Sequence, residues 1–265
     1  MDISPDRTML AVAGFQHIRM YDIPGTTNPN PTANYEGVQK NVTAVGFSAE
    51  GRWMYSGGED STVRIWDLRA RNQSCSRLLQ TSSSVNCVSL HCNQTTLYVG
   101  CQNGEIHAWD IRRDKSEHLM TDVDISVQHL NVESEGHYLA AVDNKGSCFM
   151  MGLNVNPKIG CVQRRLKFKA HKRYALKCRF SPDSTMLITT SADQTAKIWR
   201  TADLLPLVEA DEKTDSLQWP ASENISPLIV LKDPSQRWVW DAAFSNDSQY
   251  VITGKFIYFL TLITV

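Results

Sequence analysis

The 265-residue sequence lacks several features that mark special classes of protein. It has little net charge, since 27 Lys and Arg residues oppose 28 Asp and Glu residues, and a near-neutral chain is not built to hold a nucleic-acid backbone through bulk charge. The longest apolar run, 256–265, is shorter than the roughly 17–25 residues of a membrane-spanning helix. The first residues, MDISPDRTML, do not resemble a signal peptide. We therefore expect no nucleic-acid partner, no direct membrane insertion and no secretion.

The sequence also lacks the motifs of a disulfide framework, a metal site or an enzyme. Its seven cysteines have no regular spacing, which predicts a reducing, cytoplasmic location. Cys87, His91, Cys92 and Cys101 cluster but contain no Cys-x2-Cys pair, so we expect no metal. There is no Ser/His/Asp set in a nucleophile context, no Gly-rich phosphate loop and no catalytic carboxylate pair. The sequence thus predicts a non-enzyme without cofactor or small-molecule substrate.

What the sequence does contain is an internal repeat. Segments such as RWMYSGGEDSTVRIWDL (52–68) and TMLITTSADQTAKIW (185–199) share one pattern. An aromatic position recurs at steps of 45, 43, 42 and 48 residues, with Met in one copy, at Tyr21, Trp66, Trp109, Met151 and Trp199. A second, apolar landmark follows with steps of 43, 42, 48 and 64, at Phe47, Leu90, Val132, Phe180 and Phe244. Two landmarks with nearly one period establish a repeated structural unit.

Each repeat has the pattern of short antiparallel strands. Val63 and Ile65 alternate with Thr62 and Arg64, which is typical of a half-buried strand. Turn sequences such as SPDS and CQNGE separate the strands, and no stretch has a helical apolar stripe. Four strands in about 40–45 residues predict an all-β protein with the blades of a propeller.

The Trp-Asp dipeptides Trp66-Asp67 and Trp109-Asp110 make the chain resemble the WD40 β-propeller family. That resemblance implies a buried polar network, most complete in the fifth unit, in which a Ser, His and Asp chain carries the hydrogen-bond demand of the Trp indole to loop backbone. The second unit has Val38 where the His is expected. The network is structural, and its residues are His171, Ser191, Asp193, Trp199, Asp60, Trp66 and Trp109.

Longer segments, among them KNVTAVGFSAEGRWMYSGGEDSTVRIWDLR and RYALKCRFSPDSTMLITTSADQTAKIWRT, resemble the small WD-repeat subunits of target of rapamycin (TOR) kinase complexes. Relative to the seven blades of that family, the chain resembles a product truncated at both ends, beginning inside the second blade without its first strand. We expect about five to six blades over 1–254, an inter-blade loop at 209–237 and an atypical apolar tail at 255–265. The expected units are about 1–36, 37–81, 82–121, 122–168, 169–208 and 238–254.

The resemblance implies a non-catalytic scaffold of TOR complexes 1 and 2 that docks on the kinase domain, contacts other complex subunits and supports nutrient and growth-factor signalling, cell growth and the actin cytoskeleton. It implies a cytoplasmic protein that reaches the lysosomal surface through the complex. The alternative is a generic WD40 peptide-binding adaptor of a ubiquitin ligase or chromatin assembly. Peptide-binding propellers of that kind usually carry charged side chains at the centre of the top face, whereas the candidate partner-binding residues named in the next paragraph are uncharged.

In WD-repeat proteins, partners bind side chains just ahead of each innermost strand, four and six residues before the apolar landmark. Trp238 and Trp240 are the strongest candidates, because aromatic anchors among small polar groups suit a protein-binding hot spot. A rival interpretation packs one indole under a neighbouring loop. The full predicted set is Asn41, Thr43, Ser84, Asn86, Ser126, Gln128, Tyr174, Leu176, Trp238 and Trp240.

A run of basic residues is the remaining candidate site and suggests RNA binding. Leu166, Phe168 and Ala170 alternate with the basic residues, which favours an outer strand with a solvated face over a nucleic-acid site. The basic residues are Arg164, Arg165, Lys167, Lys169, Lys172 and Arg173.

Overall fold

The computed structural model describes residues 1–23, 30–70, 73–122, 124–153, 162–209, 225–232, 237–255 and 260–264. The chain divides into two compact units, Met1–Val123 and Asp124–Val265. In both units, antiparallel strands form most of the described secondary structure. The predicted all-β class is confirmed. Among the described residues, no helix has both the length and the apolar character needed to cross a membrane.

The first unit contains three four-stranded sheets, in which each strand pairs with the strand next to it in the sequence. The first sheet comprises β1 (Asp2–Ile3), β2 (Met9–Ala13), β3 (Ile18–Asp22) and β4 (Ala33–Tyr35). The second comprises β5 (Val42–Phe47), β6 (Trp53–Gly58), β7 (Thr62–Asp67) and β8 (Cys75–Gln80). The third comprises β9 (Val85–Leu90), β10 (Thr96–Cys101), β11 (Glu105–Asp110) and β12 (Lys115–Thr121).

The second unit contains two four-stranded sheets and a three-stranded sheet with the same sequential order. Its first sheet comprises β13 (Val127–Val132), β14 (Tyr138–Asp143), β15 (Ser147–Leu153) and β16 (Val162–Lys169). The next comprises β17 (Ala175–Phe180), β18 (Met186–Ser191), β19 (Thr195–Arg200) and β20 (Ile229–Lys232). The last comprises β21 (Val239–Phe244), β22 (Tyr250–Lys255) and β23 (Leu260–Thr264).

The core lies between neighbouring sheets within each unit. In the first unit, Val63 and Ile65 of the second sheet pack with Val85 and Val99 of the third, and all four side chains are buried. The inner strands are therefore covered on both faces, and every residue of β10 is buried. Burial on both faces explains why the central strands are more apolar than strict alternation predicts.

The structure differs from the expected boundaries around residue 200. A helix, α1, runs from Thr201 to Glu209, although no helical stripe was expected. Leu204 and Val208, four residues apart, are fully buried against the core of the second unit and hold the helix there. Of the expected loop at 209–237, residues 225–232 include β20, which completes the fifth sheet; 210–224 and 233–236 lie outside the described residues.

Both expected ends also differ. The first sheet has a first strand after all, the two-residue β1, which pairs Asp2 with Ala11 and Ile3 with Leu10. The apolar tail at 255–265 contributes β23, which pairs antiparallel with β22. Its run of β-prone residues supplies the backbone partner that β22 needs at that edge.

Candidate functional site

The candidate partner site is built on a bulge that recurs at the start of a sheet's first strand. In β21, Val239 pairs with Lys255 and Asp241 with Gly254, so Trp240 is the extra residue between them. The same register shift occurs in the first strands of four other sheets, where the extra residues are Thr43, Asn86, Gln128 and Leu176. A bulge turns the extra side chain away from its regular direction in the ladder. Five of the ten predicted residues hold this special position.

The other five predicted residues come directly before the same strands. They are Asn41, Ser84, Ser126, Tyr174 and Trp238. Each first strand thus begins with a residue before the strand, a buried residue in it and then the bulged residue. The two predicted positions are equivalent in all five sheets concerned, in agreement with the repeat that placed them.

Within the second unit, the aromatic residues of the set are open to solvent. Trp238 and Trp240 are 38% and 41% exposed, while Val239 between them is buried at 2%. The two indole rings lie 5.3 Å apart at an interplanar angle of 36°. Tyr174 holds the equivalent position in the neighbouring sheet and is 52% exposed. Neither indole is therefore buried under a loop of the described residues, whereas the rival interpretation expected one of them to be.

The polar members of the set in the second unit are engaged with one another and with a neighbouring turn. Gln128 Nε2 donates to Ser126 Oγ at 3.1 Å, and the Ser126 backbone N–H donates to Asn144 Oδ1 at 3.0 Å. Leu176 is half-buried. Ser126 and Gln128 therefore already have hydrogen-bond partners within the protein.

In the first unit, two of the predicted hydroxyls connect neighbouring sheets. The Thr43 hydroxyl lies 3.0 Å from the Gly57 carbonyl and 2.6 Å from the carbonyl of Val85, which belongs to the third sheet. Ser84 Oγ donates to the Glu59 carbonyl at 3.1 Å. The prediction treated these side chains as partner contacts, whereas their hydroxyls are satisfied inside the protein.

The first-unit set is also less neutral than the sequence suggested. The amide of Asn41 donates to the Glu59 carboxylate at 3.1 Å, which brings an acidic group to an exposed residue of the set. The backbone of Asn41 forms an isolated bridge with Phe15, whose side chain is 62% exposed. Asn86 is half-buried. Sequence reasoning missed Phe15, although an aromatic residue in the polar turn GFQH was a visible signal.

The structural network of the fifth sheet uses a threonine that the sequence analysis did not name. The Trp199 indole N–H donates to Thr189 Oγ1 at 3.0 Å, and His171 Nε2 lies 2.8 Å from the same oxygen. His171 Nδ1 lies 3.1 Å from Asp193 Oδ2. Every donor in this chain has an acceptor when the Thr189 hydroxyl donates to His171 Nε2 and the His171 Nδ1–H donates to the Asp193 carboxylate.

Ser191, which was expected in that chain, lies beside it instead. Its hydroxyl donates to the Tyr174 carbonyl at 2.8 Å and accepts the Asp193 backbone N–H at 3.0 Å. Asp193 also accepts the Lys172 backbone N–H at 3.1 Å. Ser191 and Asp193 therefore fasten the loop that leads into Tyr174, so the network positions an aromatic residue of the candidate site.

Asp193 is held ionised by these contacts. Burial on its own would raise the pKa of Asp193, but hydrogen bonds from His171 and Thr195 outweigh it and hold the pKa well below its usual range. The carboxylate therefore stays ionised at physiological pH and keeps its hydrogen bond to the Lys172 backbone in the loop.

The second sheet compensates for its missing histidine. Trp66 donates to Ser56 Oγ at 2.9 Å, which lies ten residues before the indole as Thr189 does before Trp199. Asp60 pairs with Arg64 Nη2 at 3.3 Å in place of a histidine, and the Arg64 guanidinium lies 5.9 Å from the centre of the Trp66 ring. Here the cation replaces the imidazole as the partner of the aspartate.

The third sheet has a simpler solution. Position 99 is a valine, and the Trp109 indole N–H donates instead to Asp114 Oδ1 at 3.0 Å, in the turn between β11 and β12. Trp109 itself is fully buried. Each indole named in the predicted network is therefore paired, but with three different acceptor arrangements.

The residues that suggested RNA or zinc have structural positions. Leu166, Phe168 and Ala170 are buried, while Lys169 is exposed and Lys167 Nζ lies 5.0 Å from the centre of the Phe149 ring. The side chains of Arg164 and Arg165 lie outside the described part, and Lys172 and Arg173 are exposed. Cys87 and Cys101 are buried in neighbouring strands, and burial raises the pKa of Cys101 to about 11, while Cys92 Sγ lies 3.7 Å from His91 Nδ1.

Comparison with known proteins identifies the repeat and the fold. The family model described as WD domain, G-beta repeat, matches residues 29–67, 73–110 and 162–200. Among solved structures, the β-propeller domain of Cps50 (Swd1) from Myceliophteria thermophila superposes with a TM-score of 0.77 at 15% identity, covering 99% of this chain and 81% of that one. At this identity the likeness concerns the fold alone. The predicted WD40 β-propeller class is confirmed.

Curated relatives are similar over most of the chain. The target of rapamycin complex subunit LST8 of Bos taurus is 49% identical over 218 residues, which cover 82% of this chain and 67% of the relative. The LST8 homolog of Drosophila melanogaster is 43% identical over 204 residues, covering 77% and 65%. The Saccharomyces cerevisiae LST8 is 36% identical over 204 residues, covering 77% and 66%. The chain thus spans about two thirds of the length of each relative.

Proposed function

Because this chain belongs to the WD40-repeat family and, within it, to the LST8 family, we propose that it is a non-catalytic subunit of TOR complexes 1 and 2 that docks on the TOR kinase domain. The relatives are named as target of rapamycin complex subunits. In this role the chain acts in the cytoplasm, holds the kinase in a stable arrangement beside the other complex subunits and supports growth signalling.

The observation that carries the docking proposal is the exposed aromatic pair. Trp238 and Trp240 keep 38% and 41% of their surface in water, and their rings contact each other. Tryptophan and tyrosine dominate the binding energy of protein interfaces, because they bury a large, rigid apolar area and lose little conformational entropy. Tyr174, in the equivalent position of the neighbouring sheet, adds a third anchor.

The fold prepares these anchors for binding. Val239, which separates the two tryptophans in the sequence, is buried and fixes the backbone of β21 where the indoles project. The bulge sets the direction of Trp240, and the Ser191 hydrogen bond fixes the backbone of Tyr174. Rigid anchors that are ordered before binding reduce the entropy lost in the complex.

Docking of this kind stabilises the kinase through simple linkage. A subunit that binds only the folded kinase domain adds about 2.7 kcal/mol to its stability when its concentration is 100 times the dissociation constant. No catalytic group has to reach the substrate for that effect. The proposal therefore requires an interaction surface and no chemistry.

The test is the affinity of the purified chain for the TOR kinase domain, with and without Trp238→Glu and Trp240→Glu. We expect the double variant to bind at least about 100-fold more weakly, since two central aromatic anchors are worth roughly 2 kcal/mol each or somewhat less when they contact each other. Tyr250→Glu is the matched control, because Tyr250 is 37% exposed on the neighbouring strand of the same sheet, at its opposite end. It should bind normally.

Two results would contradict the proposal. An unchanged affinity in the tryptophan double variant would show that docking uses another surface. Equal losses in the double variant and in Tyr250→Glu would show a general effect on the sheet. Circular dichroism of each variant checks folding, and because all three side chains are exposed we expect native spectra.

A further inference from the structure

A cluster of two histidines and a glutamate lies on the third sheet. Glu105 and His107 are two residues apart on β11, so their side chains leave the same face of the strand. His118 on β12 pairs directly with His107, and the two imidazole rings are 4.3 Å apart. A register shift between Ile106 and His107 brings the three side chains together.

The middle residue of the cluster has an unusual environment. His107 is only 6% exposed, and its Nε2 atom, buried from solvent, has no hydrogen-bond partner. Its nearest charged neighbour is Glu105 Oε2 at 3.3 Å, with which it forms an ion pair only if the imidazole is protonated. A buried polar atom without a partner destabilises a protein by about 1–3 kcal/mol, so such an atom calls for a ligand.

The carboxylate beside it is oriented in advance. Ser82 Oγ donates to Glu105 Oε2, and the Glu105 backbone N–H donates to Asn103 Oδ1 at 3.3 Å. The hydrogen bond from Ser82 therefore holds the carboxylate oxygen beside His107 Nε2, 3.3 Å away.

We propose that Glu105, His107 and His118 form a binding site for a divalent transition metal, with Zn²⁺ as the ion that suits it. Two imidazoles and one carboxylate are a common three-ligand set for zinc, with water or another donor as the fourth ligand. Metal–ligand distances of about 2.0–2.1 Å place neighbouring donors of a tetrahedron roughly 3.3 Å apart. The 3.3 Å between His107 Nε2 and Glu105 Oε2 matches that spacing.

The third ligand needs only a small adjustment. All three donor atoms lie within 4.8 Å of one another, and the side chain of His118 is exposed and able to rotate toward the other two. Its exposure also gives the ion a path from solvent. Water or a side chain of a partner would complete the coordination of the ion.

A second cluster among the described residues lacks these properties. Glu133, Glu135 and His137 also lie within reach of one ion, but only one imidazole is present. Glu133 Oε2 already accepts the His137 backbone N–H at 3.1 Å, and Glu135 and His137 are both exposed. Its donor set is poorer in nitrogen, and no buried atom there lacks a partner. It therefore provides a matched control.

The experiment is a calorimetric titration of the full chain, without an affinity tag, with Zn²⁺. We expect one equivalent to bind in the wild type, and His118→Gln to weaken binding at least about tenfold, since even the loss of an outer partner changes metal affinity roughly 10- to 100-fold. His118 is exposed, so this variant leaves the core intact. His137→Gln should bind zinc as the wild type does. Co²⁺ should give the strong visible absorption of a tetrahedral ion in the wild type and lose it in His118→Gln.

Three results would overturn the proposal. They are the absence of zinc binding in the wild type, unchanged binding in His118→Gln, and loss of binding in His137→Gln. Glu105→Gln is a third variant, because it keeps the shape of the side chain and removes its charge. Unchanged zinc affinity in this variant would be a fourth result that contradicts the site.

Discussion

Replacing Thr189 with valine isolates the hydrogen bonds that the fifth sheet depends on. Thr189 is fully buried, and its hydroxyl connects the Trp199 indole to the His171 imidazole. Valine has nearly the same shape, so the substitution removes the polar contacts and leaves the packing. The next residue, Thr190, is equally buried, but its hydroxyl has no hydrogen-bond partner. Thr190→Val is therefore a matched control with the opposite expectation.

The expected magnitudes follow from the number of groups left unpaired. Thr189→Val leaves the indole N–H and the imidazole nitrogen without partners, at about 1–3 kcal/mol each, so the protein should lose about 2–6 kcal/mol of unfolding free energy. Thr190→Val removes a hydroxyl that is desolvated without compensation. We expect no destabilisation from it and a gain of up to roughly 1 kcal/mol.

The assay is urea unfolding of the wild type and the two variants, followed by far-ultraviolet circular dichroism. With a denaturant slope of about 2 kcal/mol per M, Thr189→Val should lower the midpoint by about 1–3 M, whereas Thr190→Val should leave it unchanged or raise it slightly. Equal midpoints for the two variants would contradict this expectation, because they would show that pairing of the Trp199 indole does not contribute to stability.

Two further predictions concern the same sheet and its neighbour. Because the pKa of Asp193 is lowered in the folded state, the ionised carboxylate stabilises the protein above the ordinary carboxyl pKa of about 4, and this stabilisation is lost as the pH falls. Asp193→Asn should therefore be less stable than the wild type at pH 7. In urea unfolding, the variant should also lose less stability than the wild type between about pH 5 and pH 3. Gly146→Ala should destabilise by more than about 1 kcal/mol in thermal unfolding, since φ is +84° and a Cβ would lie 2.2 Å from the Arg173 carbonyl oxygen, whereas Gly254→Ala, with its nearest atom at 3.8 Å, should stay within about 1 kcal/mol of the wild type.

The strands were predictable because their signal is local and repeated. The alternation around Val63 and Ile65 and the recurring tryptophans placed the sheets, since each unit buries its side chains in the same way. The helix at Thr201–Glu209 was not predictable, because among its described side chains just two apolar ones, Leu204 and Val208, are fully buried. Two apolar residues four apart are too few to distinguish a helix from a loop.

The hydrogen-bond partner of Trp199 was misassigned for a similar reason. Ser191 and Thr189 both lie on β18, two residues apart, so both side chains leave the same face. Only the strand register decides which hydroxyl lies beside the indole, and it places Thr189 there. The spacing of ten residues, seen again between Ser56 and Trp66, was the signal that would have found it.

The positions of the candidate site were predicted, but not their surroundings. The aromatic pair at Trp238 and Trp240 was visible in the sequence, whereas the bulge at Trp240 was not, because no glycine or proline marks it. The engagement of the Thr43 hydroxyl with the Val85 carbonyl depends on two sheets that are 42 residues apart in the sequence. The cluster around His107 likewise depends on a strand register, so spacing rules based on one segment could not reveal it.

The most direct test of docking is hydrogen–deuterium exchange of the chain with and without the TOR kinase domain. We expect slower exchange on binding in the segments around Tyr174 and around Trp238–Trp240, where the exposed aromatic residues lie. Segments around Tyr250, at the other end of the same sheet, should exchange as they do in the free chain. Protection at Tyr250 without protection at Trp238–Trp240, or no protection by a kinase that is shown to bind, would contradict it.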